Sequence, residues 1–360
     1  MAFKLNRDNV CARKAWSSHV LLDNVSKSFD KVKAVSGLTL VVEKGEFFSL
    51  LGPSGCGKTT TLRLIGGLDR PDEGAITIGN EVVVGEGVWV PPEKRGVGIV
   101  FQDYALFPHL TVFKNIAFGL KGCSPKELKQ KVMELLEMVG LPHMAHKYPH
   151  ELSGGERQRI TLARSLAPSP KVMLLDEPFS SLDADLRDEL RHETKWILKE
   201  KGTTTILVTH EQEEALSLSD RVGVLNNGKL EQVGTPDEIY HKPRSRFVAD
   251  FVGKADFVHG WIEGSLVICD LGMFPLNGDI PDEVRDVELM IRPDDVDFTV
   301  EPGGNTVVIE AQFLGAQILY KLLLPDGKAI HSIKPSTKII PVGSRVKIKV
   351  DTKHIVVFRK

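Results

Sequence analysis

Two different periods of apolar residues divide this chain. Through about residue 250, short apolar runs alternate with longer amphipathic ones. Segments 20–25, 38–42 and 47–51 have the length and apolar content of strands. Segments 172–175 and 204–209 are apolar runs that end in polar residues, as buried parallel strands do. Segment 58–68 reads as a helix. Segment 125–139 places Leu128, Val132, Leu135, Leu136 and Val139 three and four apart, the spacing of one helical face. Segment 185–199 is helical between two of the strands, so strand–helix–strand units and an α/β sheet are predicted. After Gly253 only short strands follow, at 261–263, 266–269, 287–291, 307–313, 318–324, 346–350 and 355–358. Asn277-Gly278, Pro302-Gly-Gly and Pro325-Asp-Gly separate them. That texture predicts a small all-β module of Greek-key or OB-like type. The expected division is an extension over 1–19, an α/β domain over 20–250 and the β module over 251–360.

Composition narrows the classes. Apolar residues make up 42% and charged residues 26% of the 360, the balance of a globular chain with a buried core. Charges nearly cancel at −2, without the basic excess of a general nucleic-acid binder. Cys11, Cys56, Cys123 and Cys269 form no CxxC pair, against a zinc ribbon or disulfide framework and in keeping with a reducing cytoplasm. The longest charge-free stretch, Phe47 to Gly57, is shorter than the roughly 18 residues that span a bilayer. The N-terminus carries Lys4, Arg7, Arg13 and Lys14 but no apolar core of about 7–15 residues, so it reads as a frayed basic leader rather than a secretory signal.

The chemistry begins at Gly52-Pro53-Ser54-Gly55-Cys56-Gly57-Lys58-Thr59-Thr60, between a strand and a helix. This is the phosphate-binding P-loop pattern in the context it requires. Its glycines let successive backbone N–H groups face phosphate oxygens, and the helix N-terminus adds partial positive charge. Lys58 is expected to reach the β- and γ-phosphates and the Thr59 hydroxyl to ligate Mg²⁺. Asp176 and Glu177 close an apolar strand at the edge where α/β sheets bind ligands. Asp176 is expected to hold Mg²⁺ through water and Glu177 to polarise an attacking water. Ser153-Gly154-Gly155 before a helix is another anion-binding terminus, or on its own an ordinary cap. Cys56, beside Lys58 and a helix start, is open to two readings: a thiol of lowered pKa that MgATP shields from alkylation, or a small residue that fits the turn.

Taken together, the P-loop, Gln102, Leu152-Ser-Gly-Gly-Glu156, Asp176-Glu177, Ser181-Leu-Asp183 and His210 resemble, in order and spacing, an ATP-binding cassette (ABC) ATPase over about 230 residues. The resemblance implies an α/β P-loop ATPase domain, a RecA-like core plus a helical subdomain, followed by the OB-like domain. It implies that Gln102 contacts the metal or attacking water and the transmembrane partner, that Ser153 and Gly155, with Gly154, meet the γ-phosphate held on a second copy, that Asp183 bridges the dimer and that His210 contacts the γ-phosphate. Phe29 matches the aromatic that stacks on adenine in this family, a core phenylalanine being the alternative. Tyr104 to Val112 resembles the segment that touches a transmembrane subunit, with core packing a rival for Leu106 and Phe107.

Leu289-Met-Ile-Arg-Pro-Asp-Asp-Val296 resembles the TOBE-type regulatory domain of importer ATPases. With Arg95 to His109 it looks most like ferric-iron importers, then spermidine/putrescine importers, with sugar and sulfate importers close. The implied partners are a second copy, two transmembrane permease subunits and, through them, an extracytoplasmic solute-binding protein, at the cytoplasmic face of the membrane. The rival class, a soluble ABC ATPase on DNA or ribosomes, would carry a long coiled coil or two cassettes, and the tail has 13 basic against 15 acidic residues. Tyr104, Tyr148, Tyr240 and Tyr320 are scattered, and His143, His146 and His150 fall in a proline-bounded loop that reads as solvated. The chain itself is therefore expected to bind no iron.

Overall fold

A computed structural model describes residues 18–180, 182–275, 285–351 and 355–359. Cys11, most of the 1–19 extension, the turn at Asn277-Gly278 and Ser181 lie outside the described residues. Two compact units divide between Pro236 and Asp237. In composition, by contrast, the change comes near 250.

The first unit runs β1 (Ser18–Phe29), β2 (Val32–Glu43), β3 (Phe47–Leu51), α1 (Lys58–Gly66), β4 (Glu73–Ile78), β5 (Glu81–Gly85), β6 (Val88–Trp89) and β7 (Val97–Val100). It continues with α2 (Val112–Ala117), α3 (Pro125–Met138), α4 (Gly154–Leu166), β8 (Val172–Asp176), α5 (Ala184–Glu200), β9 (Thr204–Thr209), α6 (Gln212–Leu218), β10 (Arg221–Asn226) and β11 (Lys229–Gly234). Strands β2-β1-β4-β5-β6 make one antiparallel sheet, and β11-β10-β3-β9-β8-β7 make the other. In the latter, β10, β3, β9, β8 and β7 are parallel, which puts their C-terminal ends along one edge. The side chains of β3, β9 and, up to Asp176, β8 are buried on both faces, in keeping with the largely apolar and β-branched make-up of these strands.

The predicted helix over 58–68 ends two residues early, at Gly66. Gly67 adopts a left-handed conformation (φ 81°), and its N–H closes on the carbonyls of Arg63 and Leu64. Buried Arg95 caps the same terminus, donating to the Leu64 and Ile65 carbonyls at 2.8 and 2.9 Å. The strand predicted over 20–25 is twelve residues long, because pairing with both β2 and β4 carries it through polar Asp23 to Ser28 across register shifts.

The second unit comprises α7 (Pro236–His241), α8 (Arg246–Val252) and β12 (Asp256–Glu263), then β13 (Leu266–Cys269), β14 (Gly272–Pro275), β15 (Asp286–Ile291) and β16 (Val296–Val300). Strands β17 (Thr306–Phe313), β18 (Gln317–Leu323), β19 (Ala329–Pro335), β20 (Arg345–Val350) and β21 (Val356–Arg359) complete it. Two five-stranded antiparallel sheets, β14-β13-β12-β15-β21 and β16-β20-β17-β18-β19, share one core that includes Val258, Leu289, Phe298, Val308 and Tyr320. The expected all-β module is present. Arg292, fully buried, joins α7 and α8 to it by donating to the carbonyls of Tyr240, Ala249, Gly253 and Lys254.

Candidate functional site

The parallel strands deliver the predicted residues to one sheet edge. Leu51 of β3 lies opposite Thr209 of β9, Asp176 of β8 opposite Val208, and Val100 of β7 opposite Leu175. Hence Gly52, His210, Asp176-Glu177 and, after a short turn, Gln102 all emerge at the same edge.

The loop from Gly52 to Gly57 is shaped by backbone that only glycine tolerates. Gly55 and Gly57 have φ of 78° and 105°. A Cβ on Gly57 would sit 2.1 Å from the Ala34 carbonyl oxygen, and one on Gly52 2.3 Å from that of Leu225. Lys58 is 5% exposed, and its Nζ donates to the carbonyls of Gly52 and Pro53 at 2.8 and 2.9 Å. The ammonium is thereby aimed across the mouth of the loop. Ser54 and Gly55 are exposed, Pro53 and Thr60 partly so.

Thr59 leaves the first turn of α1 and donates its Oγ1 proton to Asp176 Oδ1 at 3.1 Å. Burial pushes the Asp176 carboxyl above its ordinary pKa; the Thr59 bond opposes this, and neighbouring Glu177 adds to it. A hydroxyl and a carboxylate that share one spot are hard oxygen donors, and they fit Mg²⁺.

Glu177 takes a left-handed backbone (φ 45°) directly after the strand, with its N–H on the Val208 carbonyl at 2.9 Å. A non-glycine residue in that region costs of order 1–3 kcal/mol and persists only where the surrounding structure holds it there. The turn aims its carboxylate at β9, where Oε1 lies 3.0 Å from His210 Nδ1. Ser180 Oγ donates to the Glu177 carbonyl at 2.9 Å and braces the turn. The sequence reading missed that brace.

Ser153 N-caps α4, and Glu156 returns a carboxylate to the Ser153 N–H at 2.7 Å. That bond to the Ser153 backbone lowers the Glu156 pKa. Ser153 is exposed, while buried Gly155 lies against α5: its Cβ would meet Leu186 and Leu190 at 3.0 and 3.2 Å. Gly154 faces Leu182, just before exposed Asp183, whose side chain makes no capping bond to α5. The Ser-Gly-Gly cap and the Asp183 loop are thus one packed surface, distinct from the Lys58 cluster.

Phe29 ends β1 at 46% exposure with Lys27 Nζ 5.3 Å from its ring centroid, so it is not a core residue. Gln102 and Asp103 form an exposed turn, followed by left-handed Tyr104 and Ala105 (φ 61° and 47°). Arg164 donates to the Ala105 carbonyl at 2.7 Å and lies over the half-buried Phe107 ring. Leu106 packs on the core, as the rival reading allowed.

Cys56 requires a correction. Its side chain is 3% exposed, and burial raises the thiol pKa against the lowering effect of Lys58, whose Nζ is 4.0 Å away. The activated-thiol reading fails because desolvation outweighs the nearby charge.

Residues 35–180 match the ABC transporter family model, and residues 289–358 the TOBE domain. The sulfate/thiosulfate import ATP-binding protein CysA 2 of Chromobacterium violaceum is 47% identical over 323 residues, covering 86% of this chain and 85% of that protein. The spermidine/putrescine import ATP-binding protein PotA of Acetivibrio thermocellus is 43% identical over 348 residues, covering 95% and 96%. Among solved structures, the dimeric post-hydrolysis state of the ATP-binding cassette MJ0796 bound to ADP and Pi aligns with a TM-score of 0.53 at 33% identity, over 60% of this chain and 98% of that one.

Proposed function

This chain belongs to the ATP-binding subunits of ABC importers, and from that premise we propose which residues do the work and which solutes it serves. It is an ATPase that powers import. The observation that carries the residue assignment is the convergence of Lys58, Thr59, Asp176, Glu177 and His210 on one sheet edge.

ATP lays its phosphates against the 52–60 loop, whose backbone N–H groups, all but that of Pro53, can donate to them, with Lys58 neutralising the β- and γ-oxygens and Phe29 stacking on the adenine. Thr59, Asp176 and Gln102 would hold a Mg²⁺ ion, which supplies further charge neutralisation on the phosphates when bound. Glu177 accepts hydrogen bonding from the attacking water and draws off its proton; His210, at 3.0 Å, orients that carboxylate and contacts the γ-phosphate. Ser153, Gly154 and Gly155 of a second copy close over the nucleotide, with Asp183 at the joint. The exposed position of Ser153 and Asp183 supports this pairing. Two copies sit under two permease subunits at the cytoplasmic membrane face and meet them through 104–112. A solute-binding protein serves the permease from the other side.

For the solute, the names of the relatives support spermidine/putrescine, sulfate/thiosulfate and trehalose/maltose, and they lend nothing to ferric iron. We rank those three first and keep iron as an outcome of the test. Glu177→Gln should retain ATP binding and lose turnover by about 10²–10⁴-fold, while ATP drives the variant into dimers visible by light scattering. Turnover at the wild-type rate removes Glu177 from this role. Uptake of labelled spermidine, sulfate, maltose and Fe³⁺ by cells with and without this subunit and its permease identifies the solute.

A further inference from the structure

We propose that Arg187 is a positioning residue that ties the loop of Asp183 to the strand end of His210, so that the two are set together. The inference rests on the ATPase reading above. Asp183 immediately precedes α5, and Glu211, the residue after His210, immediately precedes α6. Arg187, one turn into α5, spans the gap between them. Its Nη2 donates to the Leu182 carbonyl at 2.9 Å, next to Asp183. Its Nη1 donates to both carboxylate oxygens of Glu211, at 3.1 and 3.3 Å. One planar guanidinium thus holds a neighbour of each proposed functional residue, a geometry that a lysine cannot copy.

Glu211 is gripped from its other side by Arg191, which is buried and also bonds Glu214 at 2.9 Å and Asp188 at 2.9 Å. The Arg191–Glu214 pair already joins α5 to α6 in the interior. Arg187 lies outward of it, with a side chain 25% exposed, where the two loops leave the helices. Its Nε is buried without an acceptor. What its placement achieves is a fixed relation between Asp183, at the proposed joint with the second copy, and His210, which faces Glu177. That link lets closure of the dimer bear on the hydrolytic carboxylate.

The test compares full-length Arg187→Met, Arg187→Lys, Glu211→Gln and the double variant Arg187→Met/Glu211→Gln. Readouts are kcat and KM for ATP hydrolysis, the Kd of a fluorescent ATP analogue, and Tm. Arg187→Met should lower kcat about tenfold, while Kd and KM stay within about twofold. Arg187→Lys should recover only part of the loss, and the double variant should be no worse than the more affected single one. Additive losses, or losses that follow Tm, overturn the proposal. So does a wild-type kcat in Arg187→Met when Glu177→Gln is inactive. If Glu177→Gln itself keeps turning over, the ATPase site assignment fails instead. Should Arg187→Met not fold, the comparison of Arg187→Lys with Glu211→Gln decides on the same kcat and Kd criteria.

Discussion

Alanine at Gly55 and at Gly57 separates two costs within one loop. Both glycines have left-handed φ, 78° and 105°. Around Gly55 an added Cβ would meet nothing within 4 Å, so Gly55→Ala bears conformational strain alone, about 1–2 kcal/mol. If all of it falls on the nucleotide-ready loop, affinity drops by a factor of about 5–30. If it falls on the fold, Tm drops by about 2–8 °C. At Gly57 the same strain is joined by a Cβ 2.1 Å from the Ala34 carbonyl oxygen. That carbonyl belongs to β2, which is paired along β1, and the Ser36 N–H is bonded to the Gly228 carbonyl at 2.8 Å. The strand cannot yield cheaply. The first turn of α1 must instead move by about 1 Å to restore van der Waals contact, carrying Lys58 and Thr59 with it. Gly57→Ala should therefore weaken binding of a fluorescent ATP analogue by more than about 30-fold and melt below Gly55→Ala. Titration fluorimetry and thermal melts on the same preparations suffice. Equal or milder effects at Gly57 would refute the clash argument.

Three further outcomes follow from buried groups. Iodoacetamide should label Cys56 slowly in the folded protein, with or without MgATP, because burial holds the thiol above its ordinary pKa; rapid labelling seen by peptide mass spectrometry contradicts this. Arg292→Met strips donors from four carbonyls in the second unit and should destabilise that unit by about 3 kcal/mol, read from urea unfolding; an unchanged midpoint counts against the role of Arg292 in joining α7 and α8 to the sheets. Tyr240, with its phenol raised to about 12 by burial and by Asp294, remains protonated in the fold while the unfolded chain ionises near 10. Its contribution to stability is complete below pH 10 and fades as pH rises toward 12. Tyr240→Phe should flatten that part of the alkaline unfolding curve; an unchanged fall in stability between pH 10 and 12 counts against this role of Tyr240.

Much of this protein was legible in the residues themselves. Short apolar and β-branched runs at 47–51, 172–175 and 204–209 mark buried strands, and β3, β8 and β9 lie there. Gly-rich spacing with Lys58 and Thr59, and carboxylates at a strand end, express local chemistry that any fold must respect, so the candidate site could be named before its geometry was known. Periodicity records which face of a segment is apolar; it does not record what that face meets. The full length of β1 came from pairing with two neighbours across polar residues. The short strands β14, β16 and β19 likewise depend on sheet partners more than on their own pattern. The Cys56 thiol shows the same limit in electrostatics. Its neighbour Lys58 is visible in the sequence, but the burial that overrides that charge is a property of the packed core. Glu177 and His210, 33 positions apart, and Arg187 with Glu211, 24 apart, touch only because β8 and β9 lie side by side in parallel. Local chemistry is written in order along the chain, whereas desolvation and through-space pairing are set by which strands become neighbours, and only the tertiary structure decides that.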